Sequence, residues 1–149
     1  MLKGKNAIVT GSNRGIGKAV VEEFARCGCN IWACARRENQ EFEEHIAQLA
    51  EKCGVWIKPV YFDLSSEDAV KDGFKQIYRE KLPVDILVNN AALGYSGLFS
   101  LTSMKTVREL YETNVFAVFT LTQLVLKLMI RKKSGAVVNV SSVAGLEAH

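Results

Sequence analysis

Histidine is nearly absent from the 149-residue sequence, which has only His45, in a charged stretch, and His149, at the last position. A Ser-His-Asp triad or a His-rich centre has almost nothing to draw on, and no metal site is expected. The four cysteines, Cys27, Cys29, Cys34 and Cys53, form no CxxC pair and lack clustered His or acidic partners. They read as free, mostly buried thiols of a cytoplasmic protein. A block of one charge is missing as well: 19 basic and 16 acidic side chains leave a formal +3, dispersed along the chain. No field is evident that would hold nucleic acid or a membrane surface. The most continuous apolar stretch, Val115 to Ile130, is broken by Thr120, Thr122, Gln123 and Lys127, and the N-terminus lacks a basic-then-apolar layout. Neither membrane spanning nor export is expected. What is present, 48% apolar and 23% charged residues, is the makeup of one packed domain over 1–149.

Short β-rich runs alternate with helical stretches. Asn6 to Thr10, Asn30 to Ala35, Trp56 to Phe62, Asp85 to Asn89 and Ala136 to Ser141 read as strands. They are nearly continuous in apolar residues, which indicates burial on both faces, as in a parallel sheet covered by helices. Ile16 to Cys27 reads as the first helix, with Ile16, Ala19, Val20, Phe24 and Cys27 at helical spacing and Gly28 as its stop. Glu38 to Lys52 and Glu67 to Lys81 are charged, partly solvent-facing helices, and Ser66 is placed to cap the second of them. Met104 to Arg131 reads as a long helix with apolar residues around most of its circumference, which calls for burial on two sides. One side can pack on the sheet. The other suggests a second helix or a second copy of the chain, which points to a homo-oligomer, with burial inside one larger monomer as the alternative. The expected fold is α/β: a doubly wound, Rossmann-type parallel sheet of order 3-2-1-4-5.

Directly after the first strand comes Thr10-Gly11-Ser12-Asn13-Arg14-Gly15-Ile16-Gly17, running straight into the first helix. A strand–glycine-loop–helix unit suits a pyrophosphate. Gly11 permits the tight turn, Gly15 lets backbone approach the phosphates, Gly17 allows close helix packing, and the helix N–H groups point at the anion. The second strand then ends Cys34-Ala35-Arg36-Arg37, without the acidic residue that would accept from an adenosine 2'-hydroxyl. Arg36, together with Arg14 in the loop, suits a 2'-phosphate, so NADP(H) is expected rather than NAD(H).

The glycine loop resembles that of the short-chain dehydrogenase/reductase family. So do Asp63-Leu64 after the third strand, Asn89-Asn90-Ala91 after the fourth, Asn114 in the long helix and Ser141-Ser142 after the fifth. The pattern looks most like the 3-oxoacyl-acyl-carrier-protein reductase type. The resemblance implies that Asp63 and Leu64 contact the adenine, that Asn90 and Ala91 border the ribose and nicotinamide, that Asn114 belongs to a proton relay, and that Ser142 is the catalytic serine. It also implies an oxidoreductase that transfers hydride between NADP(H) and a small-molecule carbonyl or secondary alcohol. Ala92 stands where the family usually has glycine; if the backbone there needs positive φ, the alanine costs roughly 1 kcal/mol.

The family's Tyr-x-x-x-Lys motif, which supplies the general acid, is not found in these residues. Tyr61, Tyr78, Tyr95 and Tyr111 are followed four positions later by Ser65, Leu82, Phe99 and Val115. A positioned acid is typically worth about 10² to 10⁴ in rate, so the 149 residues alone are expected to be inactive or nearly so. They read as the cofactor-binding front portion of a larger reductase, with the C-terminal part of the fold missing. The competing reading is a non-catalytic dinucleotide-binding or interaction module. An extended, NAD-dependent sugar-nucleotide enzyme fits less well, given the loop spacing and Arg36.

Overall fold

In the computed structural model, which describes residues 1–145, five strands form one parallel sheet. They are β1 (Asn6–Thr10), β2 (Asn30–Ala35), β3 (Ile57–Tyr61), β4 (Ile86–Asn89) and β5 (Ala136–Asn139), in the order β3-β2-β1-β4-β5. Register runs Val9 to Ala33 and Val88 across β1, then Val88 to Val138 at the β5 edge. The order expected from the sequence is the one observed. His149 lies outside the described residues.

Helices cover both faces. α1 (Gly15–Arg26) and α2 (Gln40–Cys53) lie on one, over Ala7, Val9, Ile31, Ala33, Ile57, Ile86 and Val88. On the other, α3 (Glu67–Arg79) and α5 (Ala117–Lys132) cover Ile8, Trp32, Val60 and Leu87. This sandwich explains why β1 is buried throughout: alternate residues face opposite helical layers, and both layers are apolar. The edges depart from the expectation of two-sided burial. β3 exposes Lys58 and Pro59, residues suited to an edge, while in β5 only Val137 is even half-buried and Val138 is exposed.

The buried face of α1 also differs from the expected stripe. Gly17, Val21 and Ala25 face the sheet, Ile16 is 63% exposed, and Ala19 and Cys27 face outward. The seam is lined by small residues because the helix lies close to the sheet, and the bulkier Val20 and Phe24 are left to pack along its flank. α1 stops where Gly28 takes φ +78°, as expected of a C-terminal glycine. Ser66 Oγ caps α3 by accepting from the Ala69 N–H at 3.2 Å, and Asn39 does the same for α2 through the Phe42 N–H.

Between β4 and β5 the chain makes a single turn of 3₁₀ helix at Phe99–Leu101, then α4 (Met104–Tyr111), which runs through a π-helical turn (Glu112–Phe116) into α5. The resulting 29-residue helix, Met104–Lys132, is long and apolar enough to cross a membrane by length and composition. One face is committed to the domain core: Ala117, Leu121, Val125 and Met129, each four residues after the last, pack onto the sheet. A second face, with Phe116, Phe119, Gln123, Leu126 and Ile130 at three- and four-residue spacing, is exposed.

Candidate functional site

The sheet order reverses direction between β1 and β4, and a doubly wound sheet opens a crevice at the C-terminal ends of such a pair. Every sequence-predicted site residue except Asn114 lies at or beyond a strand's C-terminal end, with Gly15, Ile16 and Gly17 in the first turn of α1. At β1 the chain turns at Gly11, with φ +69°, and again at Gly15, with φ +55°, where α1 begins. Both need the left-handed backbone that glycine adopts without strain. Around Gly15 there is open space where a side chain would stand. Gly17 is the opposite case: a Cβ there would collide with the Gly11 carbonyl and the Asn90 side chain. The third glycine therefore seats α1 against the loop and the end of β4.

Thr10 and Asn90 brace this junction. The Thr10 hydroxyl accepts from the backbone N–H groups of Asn90 and Ala91, both at 3.0 Å, and Asn90 Nδ2 donates to the carbonyl oxygens of Thr10 and Gly11. Asn89, buried one position earlier, donates through Nδ2 to Thr122 Oγ1 of α5 and to Asn139 Oδ1 of β5. Ser12 is also turned inward. Its hydroxyl donates to the Val9 carbonyl at 2.7 Å and its N–H to the Cys34 carbonyl, so both groups shape the loop and neither faces the crevice. Asn13, Arg14, Gly15 and Ile16 form the loop's exposed rim.

Electrostatics at this rim favour an anion. α2, α3 and α4 begin with side-chain caps, from Asn39, Ser66 and Ser103, whereas α1 has Arg14 at its N-cap position, with no side-chain cap and no acidic residue in its first turn. Its leading N–H groups are left for a partner. Arg36, at the end of β2, is exposed like Arg37, and its Nε donates to Asp63 Oδ2 at 2.7 Å. Asp63 Oδ1 accepts from both the N–H and the hydroxyl of Ser65. Burial pushes the Asp63 carboxyl up, but the two Ser65 bonds and the Arg36 guanidinium outweigh it and hold it below the usual carboxylate range. Leu64 packs half-buried against the core.

Asn114 sits in the π-helical turn, and its side chain spans to the loop after β4, accepting from the Leu93 N–H at 2.8 Å and donating to the Leu93 carbonyl at 2.9 Å. A π-turn inserts one residue into a helix and is frequent at functional sites. Ser142 follows β5, exposed, its Oγ accepting from the Ala144 N–H, in a hollow bordered by Ser141, Val143 and Gly145. Ala92 needs no strained backbone: among the described residues only Lys81 and Lys133 combine a side chain with positive φ. Thr10, Ser65 and Leu93 are the supporting residues that sequence reasoning missed. A hydroxyl ending the first strand was a signal for Thr10; Leu93 contributes only backbone and left none.

A doubly wound sheet with an uncapped glycine loop at its switch point defines a dinucleotide-binding fold. Residues 5–149 match the family model for short chain dehydrogenases, and the chain belongs to that family of nicotinamide-dinucleotide oxidoreductases. It is 35% identical to the 3-oxoacyl-acyl-carrier-protein reductase of Aquifex aeolicus over 144 residues, covering 97% of this chain and 58% of the relative. With a short chain dehydrogenase of Pseudocercospora fijiensis it shares 40% identity over 144 residues, covering 95% and 46%. The solved structure of L-sorbose reductase from Gluconobacter frateurii, complexed with NADPH and L-sorbose, superimposes with a TM-score of 0.90 at 29% identity, over 97% of this chain and 55% of that one. The chain thus spans about half the length of the relatives it matches.

Proposed function

We propose that this chain holds NADP(H) for an oxidoreductase acting on a carbonyl or secondary alcohol. The observation that carries the reading is the uncapped N-terminus of α1 beside Arg14 and Arg36, a donor set that suits an anionic dinucleotide with an extra phosphate. The glycine loop leaves open space at Gly15, and the NADPH complex of the sorbose reductase neighbour adds support.

When bound, the nicotinamide supplies or accepts a hydride. The N–H groups from Gly15 to Gly17 bind pyrophosphate, with Gly11, Asn13 and Ile16 shaping the loop's approach. Arg14 and Arg36 receive the 2'-phosphate, Asp63 and Leu64 border the adenine, and Asn90 and Ala91 fix the floor beneath the ribose and nicotinamide. Ser12 acts from behind, keeping the loop in shape. Ser142 donates to the substrate oxygen, polarising the carbonyl, and Asn114 holds the turn of helix on the relay side. The exposed stripe of α5 packs against a second copy of the chain in a cytoplasmic homo-oligomer.

Titration of the purified chain with NADPH and NADH tests the reading. NADPH binds at least about tenfold more tightly, the value of one charge-assisted contact to the 2'-phosphate. Equal affinities would remove the NADP(H) assignment, and absence of binding to either would remove the dinucleotide reading altogether.

A further inference from the structure

The sequence placed Arg36 and Asp63 separately, one for the 2'-phosphate and one for the adenine. The structure joins them, and the geometry of that pair is specific. Asp63 offers a single oxygen, Oδ2, to a single nitrogen of Arg36, Nε, at 2.7 Å. Its other oxygen is held by Ser65 through two bonds of 2.9 and 2.8 Å. The carboxylate therefore cannot turn to grip the guanidinium with both oxygens. Of the five guanidinium N–H groups, four belong to the two Nη atoms, and among the described residues neither Nη has a partner. The Arg36 side chain stays 63% exposed.

We propose that Asp63 is a positioning residue for cofactor discrimination: anchored by Ser65, it holds Arg36 by Nε and presets both Nη groups for an adenosine 2'-phosphate. The inference rests on the NADP(H) reading above and deepens it. An unrestrained arginine on a surface samples many rotamers, and fixing it at the moment of binding costs affinity that a pre-held side chain retains. The opposing effect is repulsion between the carboxylate and the phosphate. The guanidinium bonded to the carboxylate offsets its charge, however, and salt weakens what remains between exposed groups. Presetting outweighs repulsion here, and it acts only on the cofactor that carries the 2'-phosphate.

Calorimetric Kd values for NADPH and NADH, measured at about 0.15 M salt, test this on the purified chain and on Ser65→Ala, Asp63→Asn, Arg36→Ala and the Asp63→Asn/Arg36→Ala pair. Asp63→Asn lowers the NADPH-over-NADH preference about fivefold, beyond any loss that the two cofactors share through the adenine. Ser65→Ala changes no charge and lowers the preference about twofold by loosening the anchor. In the Arg36→Ala background, Asp63→Asn no longer lowers the preference, and removal of the uncovered carboxylate charge leaves it level or higher. An equal loss for both cofactors would show that Asp63 acts on the shared adenosine half or on the fold, and an unchanged or increased preference would show that the pair does not preset Arg36. Either result overturns this inference and leaves the NADP(H) reading standing. A wild-type chain with no preference for NADPH overturns both.

Discussion

Asn90 and Thr10 bond to each other twice: the Asn90 side-chain amide donates to the Thr10 carbonyl, and the Thr10 hydroxyl accepts the Asn90 backbone N–H, each at 3.0 Å. The pair closes the seam between β1 and β4 at the point where the crevice opens. Thr10→Val keeps the shape but strands the N–H groups of Asn90 and Ala91, both partly buried. It is expected to cost about 2–4 kcal/mol in unfolding free energy, readable by urea denaturation. NADPH binding weakens with it, because the loop is seated on that seam.

The glycines of the loop are expected to respond unequally. Gly15→Ala meets open space and carries only the strain of its positive φ, about 1 kcal/mol. Gly17→Ala drives a methyl into the Gly11 carbonyl and the Asn90 amide, so the loop or the helix must shift. Thermal unfolding of the free chain should rank Gly17→Ala as the more damaging substitution, whereas a methyl at Gly15 fills the space proposed for the phosphates and is expected to weaken NADPH binding. The reverse order would contradict the packing described here.

Acid should destabilise the fold through two carboxylates. At Asp85, burial pushes the pKa up, but Lys132, the Asn6 N–H and Lys5 together bring it below the usual range, and Asp63 is lowered by Ser65 and Arg36. A pKa depressed on folding contributes stability that is fully present above the unfolded value, near 4, and is lost as pH falls through the folded one. The Tm is therefore expected to stay level from neutral pH to about 5 and to drop below about 4. Asp85→Asn lowers the Tm at neutral pH and makes the acid drop shallower.

Thiol labelling should separate the four free cysteines. Cys34 is fully buried and its thiol is pushed far up by that burial; Cys29 is pushed up to about 11, by burial first and then by the charge of Asp85. Cys27 is exposed and Cys53 half-buried. With a thiol reagent near neutral pH, Cys27 reacts first and Cys53 more slowly, while Cys29 and Cys34 react only on unfolding, as peptide mapping by mass spectrometry would show.

The outer stripe of α5 carries the oligomer proposal. Phe119 and Ile130 are 64% and 70% exposed, so Phe119→Glu with Ile130→Glu leaves the core face of Leu121 and Val125 untouched. Sedimentation is expected to show the wild-type chain associating and the double variant as a monomer with unchanged secondary structure. A monomeric wild type would end the proposal.

The fold was legible because two-sided burial writes itself as unbroken apolar runs, as in Ala7 to Val9 and Ile31 to Ala35. It was less legible where burial is one-sided: Lys58 and Pro59 mark β3 as an edge, and the α1 stripe was misplaced because its true seam, Gly17-Val21-Ala25, is too small to stand out as hydrophobic. Of the site, the glycine loop could be read, since its chemistry is carried by neighbours in sequence. The Arg36–Asp63 pair, 27 residues apart, and the tie from Asn114 to Leu93 depend on where β2, β3 and the long helix come to lie, and no local pattern encodes them.

The π-helical turn at Glu112–Phe116 makes the long helix sensitive to length as well as to sequence. A π turn holds one residue more than an α-helical turn, so removing one residue from it would restore an unbroken α-helix with the helical phase kept on both sides. With Leu121 and Val125 anchored in the core, the change would fall on the turn itself, drawing in the widened backbone that carries Asn114 out to Leu93. A chain one residue shorter here would keep its core and its composition yet lose the tie between helix and loop. In this segment the one extra residue in the turn, as much as the identity of its side chains, is what keeps helix and loop tied together.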